Sequence, residues 1–316
     1  MEASLTKIGI THLLKFPGSF EGIEVHIQVA GKFIKLNYPN ESFTDILKKL
    51  QAKGVEFAYV QQGDSEKIME AVKATLNSKF FYDPATTTDE VRIQQTEGAA
   101  NIAKDFIRNF GIDKASLDVL KVANEKTMNM IKEAPGLHAF VKRFRGQCSE
   151  EYLKSSLTNF LVAMVLEKFP WKSLQIVHKT MTAGMLCDVT LLPEDFEAVR
   201  LYEKGLGEIS DRVRQHPMEI SQMLRRKKEL IPMETITIIE QHHERPDGKG
   251  FPVGITVSRF NQLSAIFIVS QRFIEQLFEN KFDFAKRHEI IYALQSIYAG
   301  GFFDKAMDAL ITVVDE

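Results

Sequence analysis

Ile238 to Ile255 reads IIEQHHERPDGKGFPVGI, and this stretch sets the reading of the rest of the chain. Two adjacent histidines, His242 and His243, close an apolar run of helical type, and a Gly-rich turn ending in Phe251-Pro252 follows at once. Pro246-Asp247-Gly248 is a turn signal and the glycines tolerate positive φ, so a tight loop after a helix is expected on backbone grounds alone. The pair does not match the HExxH zinc-protease pattern, which needs its histidines one helical turn apart.

Outward from that stretch, the chain has an ordinary globular make-up. Its 316 residues are 44% hydrophobic and 26% charged, enough for two packed domains. A net charge of −2 provides no global field to attract nucleic acid. The basic runs Lys142-Arg143-Phe144-Arg145 and Arg225-Arg226-Lys227-Lys228 are short, lie in helix-like sequence and read as solvated helix faces. Cys148 and Cys187 fit neither a disulfide framework nor a CxxC zinc pattern, so a reducing compartment is expected. The N-terminus lacks a basic region followed by a long apolar core, and no run approaches about 18 apolar residues. A cytoplasmic protein without membrane association is expected.

Residues 1–79 read as a small α+β module. IEVHIQVAGKFIKLNY gives two alternating strands around an Ala-Gly-Lys turn, and SFTDILKKLQAKG is a helix opened by Ser42 and closed by Gly54. VEFAYVQQ adds a strand and SEKIMEAVKATLN a helix. Nothing in the module marks a ligand, so it reads as a regulatory or docking domain. Residues 80–135 read as a linker, FFYDPATTT from Phe80 to Thr88, and connecting helices ending near Gly111 and Pro135. From 136 to 316 the chain reads as helix after helix, with the last three beginning near Gln262, Phe284 and Phe303. There is no internal repeat, low-complexity tract, Walker-type loop or GxGxxG.

The loop from His242 to Pro252 resembles the HHExxDGxGYP signature of the HD-GYP family, bacterial metal-dependent phosphodiesterases of cyclic di-GMP. Phe251 stands where that signature has tyrosine, keeping the aromatic face and losing the hydroxyl. The resemblance extends over roughly Ser149 to Asp315 and implies a mainly α protein, an HD-type helical bundle behind a small α+β N-terminal domain. It also implies a set of metal ligands. Asp188 falls at the family's paired aspartate, His216 precedes Pro217 as in its His-Pro pair, and His242 and His243 head the signature loop.

Three ligand positions of the resemblance carry other residues. YLKSSL has Ser155 at the first-histidine position, with Ser156 the alternative one residue on. MLCDVTLLP has Cys187 in place of the HD histidine, and FIVSQRFIEQL has Gln271, or Ser270, in place of the late aspartate. Leu191 replaces the lysine that commonly follows the HD pair. In the family's geometry the replaced residues serve one metal, whereas Asp188, His216, His242 and His243 serve the other. A three-histidine, one-carboxylate set can hold one divalent ion such as iron, manganese or zinc; alternatively these residues are relics that keep a folded core. Cys187 reads as a small apolar filler.

The resemblance implies further that the loop of Glu244, Arg245, Asp247, Gly248, Lys249, Gly250, Phe251 and Pro252 lies near substrate and offers a surface to partners, with Arg245 and Lys249 available to a phosphate or carboxylate. The function expected is that of a degenerate HD-GYP signalling protein. It would engage cyclic di-GMP or a diguanylate cyclase-type protein with little or no hydrolysis, Asp188 being the one catalytic candidate. The alternatives are a metal-dependent cyclic di-GMP phosphodiesterase with a reduced metal site, and a structural assembly protein; a homodimer is compatible with each. His12, His26, His138, His178 and His288 read as packed or surface histidines.

Overall fold

The computed structural model describes residues 5–16, 20, 22–36, 42–78, 87–133, 137–227 and 229–315. The chain divides into two compact units. One comprises residues 1–134 with 143–149, and the other residues 135–142 with 150–316.

The first unit is built on a four-stranded antiparallel sheet of β1 (Leu5–Gly9), β2 (Val25–Val29), β3 (Lys32–Lys35) and β4 (Phe57–Gln61) in the order β1-β4-β2-β3. Ala30 and Gly31, both at positive φ, join β2 to β3, as expected for a two-residue turn whose twist matches the strands. One sheet face buries Ile8, Val25, Ile27, Ala58 and Val60. The short helix α1 (Ile10–Leu13) follows β1 directly, and α2 (Phe43–Ala52) and α3 (Ser65–Leu76) follow later. Ser42 caps α2 by accepting from the Asp45 N–H, and Gly54 takes φ +80° just past its end.

Two long helices belong to this same unit: α4 (Asp89–Phe110), which packs on β1, and α5 (Lys114–Lys132), which pairs with α4 and α3. Both were expected from their periodicity as connectors. In the structure they supply much of the unit's core, through Ile93, Ile102, Phe106, Leu117, Leu120 and Ile131. The strand β1 is not evident in the sequence, and most of the FFYDPATTT linker lies outside the described residues.

The second unit is all-helical among the described residues. After α6 (Leu137–Phe144) come α7 (Glu150–Leu166), α8 (Leu174–Leu186), α9 (Pro193–Glu203), α10 (Asp211–Arg225), α11 (Met233–Gln241), α12 (Gln262–Glu279), α13 (Arg287–Gln295) and α14 (Phe302–Asp315). The sequence pattern anticipates this succession, including a helix that continues through Pro217. At the centre lies α12, in which every residue from Ser264 to Ile274 is buried, as befits a helix enclosed on all sides. It packs against α7, α11 and α14, while α8 packs against α7 and α11. The fold is mainly α, an HD-type helical bundle following a small α+β region. No helix among the described residues is long and apolar enough to cross a membrane.

Candidate metal centre

Four residues separated by up to 55 positions meet within the second unit. The α8 helix ends at Leu186, where the Cys187 N–H closes on Ala183, and this sets Asp188 just beyond the helix terminus. The α11 helix ends at Gln241, so His242 and His243 likewise begin the following loop. His216 comes from the interior of α10. One ligand atom from each of Asp188, His216, His242 and His243 lies within 4.8 Å of the others.

The second nitrogen of each imidazole decides what the first can do. His216 Nδ1 donates to the Val213 carbonyl at 2.6 Å, and His242 Nδ1 donates to the Ile239 carbonyl at 2.7 Å. Because a carbonyl only accepts, the proton sits on Nδ1 in both rings, and the Nε2 lone pairs face inward. His243 Nδ1 lies 2.7 Å from Glu203 Oε1 and donates to it in the same way, while its Nε2 is buried without a hydrogen-bond partner. Three Nε2 atoms therefore converge on Asp188 Oδ1, at 3.4 Å from His216, 3.3 Å from His242 and 3.8 Å from His243. His216 and His242 Nε2 are only 3.3 Å apart.

The inward-facing lone pairs and the carboxylate oxygen are gathered as the ligands of a cation would be. Bonds of about 2.1 Å in a tetrahedron place ligand atoms roughly 3.4 Å apart, close to the spacings found. The histidines are at most 4% exposed, whereas the Asp188 side chain retains 26% exposure. The donor set therefore fits one divalent ion, with the carboxylate edge open.

The electrostatics follow the same division. Burial alone would raise the Asp188 pKa, but the imidazoles of His216, His242 and His243 gathered around it outweigh burial and hold the carboxyl well below its ordinary range. Burial and the neighbouring His243 bring His242 down to about 4. Burial also opposes charge on His243, yet Asp188 and Glu203 overcome it and its pKa is raised. Of the adjacent pair, His243 therefore holds a second proton to higher pH than His242 does when no metal is bound.

The positions at which the resemblance expects further ligands carry a hydroxyl, a thiol and an amide. Ser155 Oγ donates to the Gly184 carbonyl at 3.1 Å. Cys187 is buried, its Sγ 3.9 Å from the Gly184 carbonyl oxygen and 3.5 Å from Asp188 Oδ2. The Gln271 amide is buried and its Oε1 has no hydrogen-bond partner.

Asp188, His243 and Gln271 border a cavity of about 130 Å³. Phe196, Phe278 and Tyr298 form part of its wall, and Lys154 holds its ammonium 4.7 Å from the centre of the Phe278 ring. Beside the cavity is an ion cluster that local sequence patterns do not reveal. Arg272 is ion-paired with Glu203 and with Glu275, the latter at 2.6 Å. Burial acts to raise the Glu203 pKa but is overcome by Arg272 and His243, so that it falls to about 2; burial pushes Glu275 up to about 7 against the pull of Arg272. The one sequence trace of the cluster is Arg272 and Glu275 spaced one turn apart on a mainly apolar helix.

The signature loop is more deeply built in than the sequence reading supposes. Glu244 is buried, and its carboxylate accepts from the N–H groups of Val253, Gly254 and Ile255 at 2.7 to 3.1 Å. Phe251 is also buried, stacked on His243 at 4.4 Å with an interplanar angle of 16°. The Phe251-Pro252 peptide is cis. Arg245 is engaged by Asp247 at 2.6 Å, and Asp247, Lys249 and Val253 are the exposed residues of the loop.

No protein-family model and no curated protein matches this chain. Among solved structures, Bd1817, a HDG"Y"P protein from Bdellovibrio bacteriovorus, is similar. The TM-score is 0.56 at 17% sequence identity, over 99% of this chain and 100% of that one. At that identity the likeness carries the fold, which is of the HD-GYP kind.

Proposed function

We propose that this chain is a signalling protein of the HD-GYP type, holding one divalent ion at Asp188, His216, His242 and His243. It binds cyclic di-GMP or a diguanylate cyclase-type partner and turns over little or no phosphodiester. The observation that carries the reading is the asymmetry of the centre. Three inward Nε2 lone pairs and a carboxylate are assembled for one ion, while Ser155, Cys187 and Gln271 bring only a hydroxyl, a thiol and an amide in place of imidazole and carboxylate for a second. A divalent ion at such a centre supplies Lewis acidity and lowers the pKa of bound water. In a two-ion site that charge stabilisation is shared between the metals, and where the resemblance expects ligands of the other metal this chain has Ser155, Cys187 and Gln271. The aromatic and cationic cavity wall of Phe196, Phe278 and Lys154 suits a ligand with a flat ring and a phosphate.

A phosphodiesterase working with a reduced metal site is the second reading. It is favoured by the 26% exposure of the Asp188 side chain, which leaves an ion there within reach of a cavity ligand. The triple variant Ser155→His, Cys187→His, Gln271→Asp separates the two, with cyclic di-GMP binding followed by calorimetry and hydrolysis by chromatography of products. The binding reading expects wild type to bind without appreciable product and the variant to gain turnover. Wild-type hydrolysis that the variant does not exceed would establish the enzyme instead. Failure to bind the nucleotide, together with a defined oligomer, would point to a role in assembly.

A further inference from the structure

His243 differs from the other two clustered histidines in what holds its outer nitrogen. His216 and His242 each donate Nδ1–H to a carbonyl three residues back, a contact made by the chain's own local fold. The outer nitrogen of His243 instead meets a side chain from the end of α9, Glu203, forty positions away. Glu203 is in turn gripped through Oε2 by Arg272 of α12, whose Nη2 also donates to the His242 carbonyl at 3.3 Å.

The placement of Arg272 gives Glu203 its importance. Arg272 Nη2 lies 3.0 Å from His243 Nδ1, the same atom that donates to Glu203. A guanidinium has only donors, so these two neighbours make opposite demands on one nitrogen. Glu203 requires a proton on Nδ1; Arg272 alone would favour a bare lone pair there. With the proton on Nδ1, Nε2 is free to ligate. With the lone pair on Nδ1, the proton moves to Nε2 and points at Asp188, and the ring cannot ligate.

We infer that Glu203, held in place by Arg272, is a positioning residue that fixes the His243 tautomer and thereby makes His243 a metal ligand. The inference rests on the one-ion reading above for its functional meaning, but the tautomer itself is a property of the metal-free chain. Side chains that orient a ligating imidazole typically control metal affinity by about 10- to 100-fold.

The test uses the full chain in three forms: wild type, Glu203→Ala and Glu203→Gln. Long-range 1H–15N spectra of histidine-labelled, metal-free protein, recorded at a pH above the raised pKa of His243 so that the ring is neutral, report whether Nδ1 bears the proton. Zinc titration against a competing chelator reports affinity. Wild type should show a protonated Nδ1. Glu203→Ala should show a bare Nδ1 and a loss of zinc affinity of about 10- to 100-fold. Glu203→Gln, whose amide oxygen still accepts from Nδ1–H, should keep the wild-type tautomer and lie closer to wild type in affinity. A merely structural Glu203 would lower the melting temperature of both variants and leave the Nδ1 proton unmoved, which overturns the inference. An unprotonated Nδ1 in wild type overturns it without any variant. If wild type takes up no zinc, the one-ion reading fails, while the Nδ1 measurement still decides the role of Glu203.

Discussion

Phe251 and its neighbours show how one residue can be placed correctly in a motif and still be misjudged in its surroundings. The sequence identifies it as the aromatic position of a turn. In the structure its ring covers His243 and meets Tyr202 edge-on at 5.7 Å, so it forms part of the wall that keeps the histidine cluster dry. That dryness underlies a prediction about the two adjacent histidines. Residue-resolved NMR titration of the metal-free chain should find His242 neutral down to about pH 4, and His243 charged above its ordinary 6.5. His242, with its folded pKa lowered, contributes stability that is complete above 6.5 and is lost as pH falls towards about 4. His243, with its folded pKa raised, contributes in the opposite sense, fully below 6.5 and lost as pH rises through its folded value. Joint titration of the pair near 6.5 would contradict the burial and partner assignments at both residues.

Among the elements, the loop after α11 depends on one side chain more than on its glycines. Glu244 stands in for a missing strand partner, its two oxygens collecting the N–H groups of Val253, Gly254 and Ile255. Hydrogen bonds to a charged acceptor contribute about 1.5 to 3 kcal/mol each, and removing the acceptor leaves the buried Ile255 N–H without its partner. Glu244→Ala should therefore destabilise the chain by on the order of 3 kcal/mol or more in denaturant unfolding, with Glu244→Gln milder; a change below about 1 kcal/mol would show that the loop stands without it. Gly250 has a separate reason to be glycine. A Cβ there would come within 2.3 Å of the Arg245 nitrogen, so close backbone approach rather than positive φ excludes a side chain. The α10 to α12 helices and this loop were legible because their periodicity, caps and turn residues lie next to one another in sequence. β1 was not, because Leu5–Gly9 runs straight into α1; its pairing with β4, about fifty residues away, makes it a strand. Glu203 and Arg272 were hidden for the same reason: each is an ordinary helix residue until α9 and α12 are placed around His243.

On the scale of the whole molecule, the centre ties together the end of α8, the middle of α10 and the end of α11, which meet only in space. An ion bound there closes long loops of chain that the unfolded state leaves open. It should therefore stabilise the protein by about 2.7 kcal/mol at a free-metal concentration one hundred times Kd. Calorimetric melting with and without zinc should show the transition of the second unit rising with metal, and His216→Ala should abolish the rise. An equal rise in that variant would place the ion elsewhere. The most direct measurement on the central claim is metal stoichiometry by elemental analysis, on wild type and His242→Ala protein purified anaerobically without chelator. A single-ion centre predicts close to one ion per chain, lost on replacing His242. Two ions per chain would mean that Cys187 or other residues complete a second site, and none, or one that survives the His242 change, would contradict the assignment of the cluster.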